Sequence, residues 1–522
     1  MHEVDVAILG GGLAGNLLAR QLRREVPNAS VALFERSPER GYKVGESTVE
    51  IATNYFVRRQ GLSTYIYKEH LPKNGLRYFF DTEKRDANLW DMSEIGVDGL
   101  PPYPSFQLDR ARLERDLLAM NVKDGVDVHL PARVVDLKLE SDGKHTFSVV
   151  EGDTKTEWRA CWVIDGTGRE GLIAKQRGLR LREPSHKIAS AWGRFTNVTD
   201  MDDYGPEQWR AKARYTARTL STTHFMYPGC WIWFIPLREG ITSLGIVQDT
   251  KHWSPDRFKV DGFLGYLRQH KAIRDLVENV ECIDLEGYTQ LAFRTKQWYS
   301  GAEKWACIGD SGAFTDPFYS PGSDFIATGN DLVADMIRRN LEGEDVGERG
   351  QLYNDFMQYR FESTLVIYDQ LYSMFGSFEL YEAKVYFDTA CYYNLLFDAY
   401  AQDLHRDERW VRTQLRRKDW VLQALGNFGH LFRSAGEEMQ KRGTYYRKNV
   451  GEYRLSGRKS FGVMEEVGKP RSRREVNAVT EEIFQRTQNM IGNALDGDSG
   501  FVQRLMSGSR ELYDAWGALD AE

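Results

Sequence analysis

Three glycines, Gly10, Gly12 and Gly15, stand in a G-x-G-x-x-G spacing directly after the apolar run 4–9 (VDVAIL). The first allows a tight turn, the second lets a pyrophosphate approach the backbone, and the third lets a helix pack closely on a strand. A helix opening at this point offers free N–H groups and the positive end of its dipole to phosphates. Glu35 lies twenty residues past Gly15, at the end of a second apolar run, 31–35 (VALFE). There its carboxylate can accept hydrogen bonds from a ribose. A lone G-x-G-x-x-G carries little weight, because a glycine turn can serve packing alone. Strand, turn, helix, second strand and terminal acid in that order specify a dinucleotide-binding βαβ unit. Two further strand-end glycine turns stand far downstream, in 162–171 (WVIDGTGREG) and at Gly309-Asp310-Ser311 after the run WACI.

The elements that must position these turns follow from periodicity. The run 4–9 does not alternate, which suits a strand buried on both faces of a parallel sheet. The segment GGGLAGNLLARQLRRE reads as a turn opening into an amphipathic helix. A helix is expected around 47–60, a strand at 75–80, a proline-rich surface loop at 100–105 and a helix at 109–120. Strands are expected at 126–130, 134–139, 159–165 and 305–309, and several more within 186–250. From about residue 325 long helical periods dominate to the end. The fold class expected is α/β: a Rossmann-type dinucleotide-binding module over 1–330, with a β-sheet substrate region interleaved at about 75–110 and 186–300. A mostly helical region, 331–522, then lines the substrate pocket.

Composition narrows the class. The chain has 522 residues, 41% of them hydrophobic and 28% charged, with a net charge of −7. The length fits about three domain-sized units or one large domain with insertions. The apolar fraction excludes a disordered chain. The acidic balance argues against a general nucleic-acid binder, and no run reaches the ~20 apolar residues of a membrane helix. The five cysteines (161, 230, 282, 307 and 391) form no C-x-x-C pair, so neither a disulfide framework nor a metal site is expected. No basic stretch or small-residue cleavage site precedes the first strand, and a cytoplasmic location is expected. The arginine-rich runs RTQLRRK and KPRSRRE read as solvated helix faces or loops.

Three stretches resemble the flavin-dependent halogenases of the phenol and pyrrole type, within the FAD-dependent monooxygenase-like group with its glutathione-reductase-like FAD-binding fold. The segment 41–49 (GYKVGESTV) is similar to their G-E-S-T segment beside the isoalloxazine. Residues 231–236 (WIWFIP) match the W-x-W-x-I-P motif in full. Residues 314–322 (FTDPFYSPG) fit F-x-x-P-x-x-S-x-G. The W-x-W-x-I-P match is specific, whereas the glycine motifs are shared with related FAD monooxygenases. The resemblance covers 1–330 by motif and the remainder by layout. It implies FAD held by Gly10, Gly12, Leu13, Ala14, Gly15, Glu35, Gly45, Glu46, Ser47, Arg110, Gly309, Asp310, Pro317 and Gly322, with Asp310 on the ribityl hydroxyls. It implies that Lys73, in HLPKNGLRYFF, is the catalytic lysine. Halide would be oxidised to hypohalous acid, travel a tunnel past Trp231, Trp233, Phe318, Tyr319 and Ser320, and reach the Lys73 amine for delivery to an electron-rich aromatic. By count alone Lys73 would be a solvated surface lysine, and the two tryptophans plain core. The second G-x-G-x-x-G spacing, Gly166, Gly168 and Gly171, belongs to the strand-end turn 162–171 already read with the flavin, and no further one is present for a nicotinamide, so reduced flavin is expected from a separate, transient flavin reductase. Chloride or bromide is the expected halide, and the substrate a small or carrier-protein-bound aromatic. No nucleic-acid or membrane partner is expected.

Two positions depart from that family. The tryptophan halogenases carry a glutamate where Tyr319 stands, so free tryptophan is a doubtful substrate. The family holds halide on backbone N–H groups just after the motif serine, and the first of these positions is Pro321, which has none. Gly322 and Ser323 remain as donors. The alternative is therefore a flavin monooxygenase that keeps the fold and has lost halogenation. A third reading is a non-catalytic flavoprotein whose aromatic-rich segment 352–401 docks a partner instead of lining core and pocket.

Overall fold

The computed structural model describes residues 1–39, 41–456 and 462–507. Residues 457–461 and 508–522 of the expected helical region lie outside the described residues. A first eight-stranded sheet has a parallel centre in the order Trp305–Cys307, Thr154–Asp165, His2–Leu9, Val31–Phe34, Asp127–His129. Antiparallel strands, among them Arg133–Lys138 and His145–Glu151, extend it at the side of Thr154–Asp165. Toward their carboxyl ends the central strands are apolar and buried, as in 6–9, Val31–Phe34 and 162–164, which burial on both faces requires. Leu9 pairs with both Phe34 and Asp165, and Asp165 pairs with Cys307. This register brings the carboxyl ends of four strands level, so the turns at Gly10, Glu35, Gly166 and Gly309 meet along one edge. In open α/β sheets that edge is where ligands bind.

A second eight-stranded sheet runs Glu281–Tyr288, Ile188–Thr196, Thr242–Asp249, Cys230–Pro236, Thr222–Tyr227, Leu76–Phe80, Ser93–Gly96, Tyr453–Leu455. Its alternate faces feed two separate cores, one shared with the cofactor sheet and the C-terminal helices, the other under Phe263–Leu276. Long helices follow, among them Pro321–Leu341, Gly347–Val366, Phe378–Cys391, Lys418–Lys441 and Arg473–Ala494. The aromatic segment 352–401 is turned mostly inward, with Tyr353, Phe361, Phe378 and Tyr381 fully buried.

Several expectations are corrected. The helix around 47–60 is a short α-turn, Glu50–Asn54, running into a π-turn, Tyr55–Arg59, and a further helix, Ser63–Glu69, follows it. The strand at 159–165 begins five residues earlier, as Thr154–Asp165, because it continues through a hairpin with His145–Glu151. The helix Pro321–Leu341 crosses the expected boundary at 330/331 without a break. The C-terminal region is mostly helical, as expected, and Tyr453–Leu455 adds to it a parallel edge strand beside Ser93–Gly96.

Candidate active site

At the edge of the first sheet the glycines do different jobs. Gly10 has φ +108°, and a Cβ there would lie 2.4 Å from the Gly166 carbonyl oxygen. A Cβ on Gly15 would lie 2.0 Å from the Gly10 oxygen. Both positions are closed by backbone. Gly12 begins the helix Leu13–Glu25 and is open, the nearest atom to its Cβ position being the Lys43 amine at 4.0 Å. Glu35 accepts from the Gly11 N–H (2.7 Å) and the Ser37 N–H (2.8 Å), which fixes its carboxylate at the strand end. Asp165 organises the middle turn through Thr167 and the Ile173 N–H. Gly309 (φ +56°) brings the third turn against Ala14. Burial raises the pKa of Asp310, opposed by Arg169, Arg110, Arg180 and Lys43. These four cations act together on Asp310 as a positive rim, with Lys43 beside the open helix start and both Lys43 and Arg110 paired with the buried Glu114.

The neighbouring segment is tied to the same rim. Gly45 (φ +96°) leaves room for Arg110, which donates to the Val44 carbonyl (2.8 Å) while its buried Nε has no partner. Glu46 is held away from solvent by Arg194 (2.8 Å), and burial raises its pKa. Its carboxylate is thus engaged within the protein, and its carbonyl accepts from the Leu108 N–H (2.5 Å). The residues fit an FAD: the open Gly12, the cationic rim, the unpartnered Arg110 Nε and two strand-end acids match a pyrophosphate between two sugar-like chains.

Ser47 leads from this edge to the lysine. Lys73 is 4% exposed, and its amine donates to Ser47 Oγ (2.9 Å) and the Thr48 carbonyl (2.8 Å). Burial lowers its pKa to about 8, against the pull of Glu50 and Asp324. Lys73, Glu50 and Asp324 share the wall of a cavity of about 890 Å³, closed on the far side by C-terminal helices. Asp324 accepts from the Ala52 N–H (3.0 Å) and the Tyr392 hydroxyl (3.1 Å), and burial pushes its pKa up to about 7. Burial also raises Glu50, which accepts from the Tyr393 hydroxyl (2.6 Å). Tyr319 reaches the same cavity, and its hydroxyl donates to Asp388 (2.9 Å), a carboxylate also bound by Lys384.

The other residues expected along a tunnel do not line this cavity. Trp231 and Trp233 share one face of the strand Cys230–Pro236, 5.5 Å apart between rings. Neither lines the cavity, and neither do Phe318 and Ser320. Trp231 packs on Phe318 (4.9 Å) and donates to the Tyr372 hydroxyl (2.8 Å), and Trp233 donates to Ser243 (3.2 Å) beside Gly245, where any Cβ would strike its ring. Pro321 is the first residue of its helix, where an N–H has no intrahelical acceptor in any case. Gly322 and Ser323 follow in the first turn, whose N–H groups lack such acceptors too.

Sequence reasoning missed the bonds that hold the 314–322 loop. Asp316 Oδ2 accepts from Tyr372 (2.6 Å) and contacts His186 Nε2 (2.6 Å), while Oδ1 accepts from the Phe318 N–H (2.8 Å). Tyr372 and His186 come from two distant segments and carry no local signal, whereas the Phe318 N–H lies in the same loop. Among the described residues no cluster of three His, Cys, Asp or Glu could hold a metal, and no helix is long and apolar enough to cross a membrane.

The family model of the FAD binding domain matches residues 3–311. The chain belongs to the FAD-binding domain family. A flavin-dependent halogenase, chlA, of Dictyostelium discoideum is 26% identical over 439 residues, covering 78% of this chain and 72% of that protein. A chlorinase of 1H-pyrrole-2-carbonyl groups on a peptidyl-carrier protein, from Pseudomonas fluorescens, is 26% identical and covers 62% of this chain and 72% of its own. The crystal structure of halogenase PltM in complex with phloroglucinol and FAD superposes with a TM-score of 0.66 at 16% identity, covering 95% of this chain and 99% of that one. At that identity the likeness shows the fold. The resemblance to flavin-dependent halogenases therefore holds, and this FAD-binding protein is an FAD-dependent enzyme with a Rossmann-type core.

Proposed function

We propose that the protein halogenates an electron-rich aromatic, using chloride or bromide, O₂ and reduced flavin from a separate reductase. FAD would lie on Gly10, Gly12, Gly15 and the Lys43–Arg110–Arg169–Arg180 rim. When reduced and supplied with O₂ it provides the oxidising equivalents that turn halide into hypohalous acid. Gly322 and Ser323 would hold the halide through their N–H groups.

The observation that carries the reading is the Lys73 amine, buried between Ser47 and Thr48 at the wall of a large aromatic cavity. Only the neutral amine attacks electrophilic halogen. Its nitrogen would take the halogen from hypohalous acid and release water, giving an N–halogen bond. The arene's π-electrons would then take the halogen, returning the amine, and the ring carbon would lose a proton. With a pKa of about 8, roughly a tenth of the amine is neutral at pH 7, against about 0.03% at 10.5. Asp324, with a pKa pushed up to about 7, and Glu50 stand by as proton acceptors. A phenol or pyrrole ring activates itself and needs no glutamate at the Tyr319 position. Carrier-bound pyrroles, on which a relative acts, and free phenols both fit this chemistry.

The test supplies full-length protein with a flavin reductase, NADH, O₂ and bromide, and offers phenols and carrier-bound pyrroles. Brominated product, read by its isotope pattern in mass spectrometry, supports the reading. Oxygenated product formed independently of halide refutes it in favour of a monooxygenase.

A further inference from the structure

The cavity contains a cation that no carboxylate among the described residues pairs with. Arg360, on the helix Gly347–Val366, is 9% exposed and lines the cavity. Among the described residues its guanidinium enters no ion pair or hydrogen bond, and its Nη1 is sealed from solvent without an acceptor. The contrast with other buried arginines is sharp. Arg77 and Arg218 sit on Glu94, and Arg194 on Glu46 and Asp284. The carboxylate that acts on Arg360 is Asp324, but it lies beyond ion-pair distance and both its oxygens are engaged by Ala52 and Tyr392. Burial lowers the pKa of Arg360, the mark of a charge short of compensation. A second buried cation, Arg417, acts with Arg360 on the Tyr359 hydroxyl at the same wall. An uncompensated guanidinium in an apolar enclosure is costly, and an anion that enters with the ligand removes that cost.

We propose that the aromatic acceptor carries a carboxylate, and that Arg360 receives it in a two-pronged hydrogen bond. This rests on the reading of the cavity as the acceptor site. The planar fork of arginine matches a carboxylate at two points, which fixes orientation as well as affinity. Lys73 and Arg360 line the same cavity, with Asp324 on its wall as well. An acid anchored at Arg360 would present its ring toward the lysine, and the anchor would select which ring carbon is offered. A thioester tethered to a carrier lacks this carboxylate, so the inference favours a free aromatic acid.

The test is equilibrium binding to the full-length protein by tryptophan fluorescence, which needs no turnover. The probes are hydroxybenzoates and hydroxyphenylacetates, each paired with its carboxamide. An acid should bind at least about tenfold more tightly than its amide, the size of a charge-assisted hydrogen bond. Arg360→Gln should erase that preference while changing amide binding less than about twofold, and Arg360→Lys should restore part of it. Circular dichroism of each variant establishes that it folds, and Arg360→Lys serves alone if Arg360→Gln does not. Equal binding of every acid and amide, no binding by any acid, or an equal loss of both in the variants would overturn the proposal. Tighter binding of phosphopantetheine than of the acids, lost in Arg360→Gln, would also overturn it by assigning the arginine to a carrier tether. Acid-selective binding without halogenation would refute the proposed reaction and leave this site standing, and the converse result would do the reverse.

Discussion

Replacing Lys73 with methionine should abolish halogenation and at the same time make the fold more stable. The drop of its pKa from the ordinary 10.5 to about 8 corresponds to about 3 kcal/mol disfavouring the charged amine in the fold. The folded pKa lies below the unfolded one, so between pH 8 and 10.5 the unfolded chain binds more protons and stability rises with pH. Below pH 8 the whole penalty is present. Methionine fills a similar volume without the charge, and loses the amine's two hydrogen bonds, each worth about 0.5–1.5 kcal/mol. Ser47 keeps its bond to Thr222, so only the Thr48 carbonyl is left short. The net gain at pH 7 is about 1–2 kcal/mol. It should shrink by about 2 kcal/mol at pH 10, where most of the penalty on the wild type has gone. Denaturant midpoints of both proteins at pH 7 and pH 10, with product analysis in the reductase-coupled assay, read both effects. Reductase-driven NADH consumption should continue in the variant. A variant less stable than wild type at pH 7, or a stability gap independent of pH, would show that the amine is neither desolvated nor poised as described. Surviving halogenation would remove Lys73 from the chemistry.

Other perturbations separate cofactor, cavity and scaffold. Gly12→Ala has room for its Cβ and should leave the unfolding midpoint within about 0.5 kcal/mol of wild type. It should nevertheless weaken FAD retention, read from flavin absorbance after gel filtration. Gly15→Ala drives a Cβ into the Gly10 carbonyl and should cost both folding and flavin. Tyr319→Phe removes a donor from the buried Asp388, which should cost about 1–3 kcal/mol in denaturant unfolding. Glu94→Gln leaves Arg77 and Arg218 buried without their counter-charge and should destabilise by about 3–5 kcal/mol, with FAD affinity unchanged in whatever fraction folds.

The cofactor edge was legible because each of its parts is local. A glycine turn, a four-residue apolar strand and a terminal acid each announce themselves within ten residues, and the parallel register then brings their ends together. The cavity was not legible in the same way. Lys73, Asp324, Arg360 and Tyr392 belong to four elements spread over some 320 residues, and their chemistry arises from burial and mutual distance. The strand Tyr453–Leu455 escaped for a related reason. Three residues of an edge strand have no periodicity to read, and its partner Ser93–Gly96 lies about 360 positions away. The two π-turns, Tyr55–Arg59 and Tyr392–Phe397, read as ordinary helix because one inserted residue hardly shifts the apolar pattern. The shared strand face of Trp231 and Trp233 was legible, but a strand face shows which side chains stand together and not what covers them.

The 314–322 loop shows why such a segment needs distant support. Tyr319 (φ 63°) and Ser320 (φ 57°) are two successive non-glycine residues in the left-handed region, each costing of order 1–3 kcal/mol. Local bonds are few: the Ser320 N–H donates to the Pro317 carbonyl (3.0 Å) and the Phe318 N–H to Asp316 (2.8 Å), while the Ser320 side chain does not cap its helix and Pro321 contributes no N–H. The conformation is also held from outside, by Tyr372 and His186 on Asp316, by Tyr368 on the Phe318 carbonyl (2.9 Å), and by Asp388 on the Tyr319 hydroxyl. Most of these supports come from the helical region beyond residue 341. The C-terminal helices therefore fix the turn from which the helix Pro321–Leu341 starts, and with it the direction of Gly322 and Ser323. A removal of those helices would release the loop even though the whole dinucleotide fingerprint remained intact, which makes the helical region part of the active-site scaffold as well as the cavity wall.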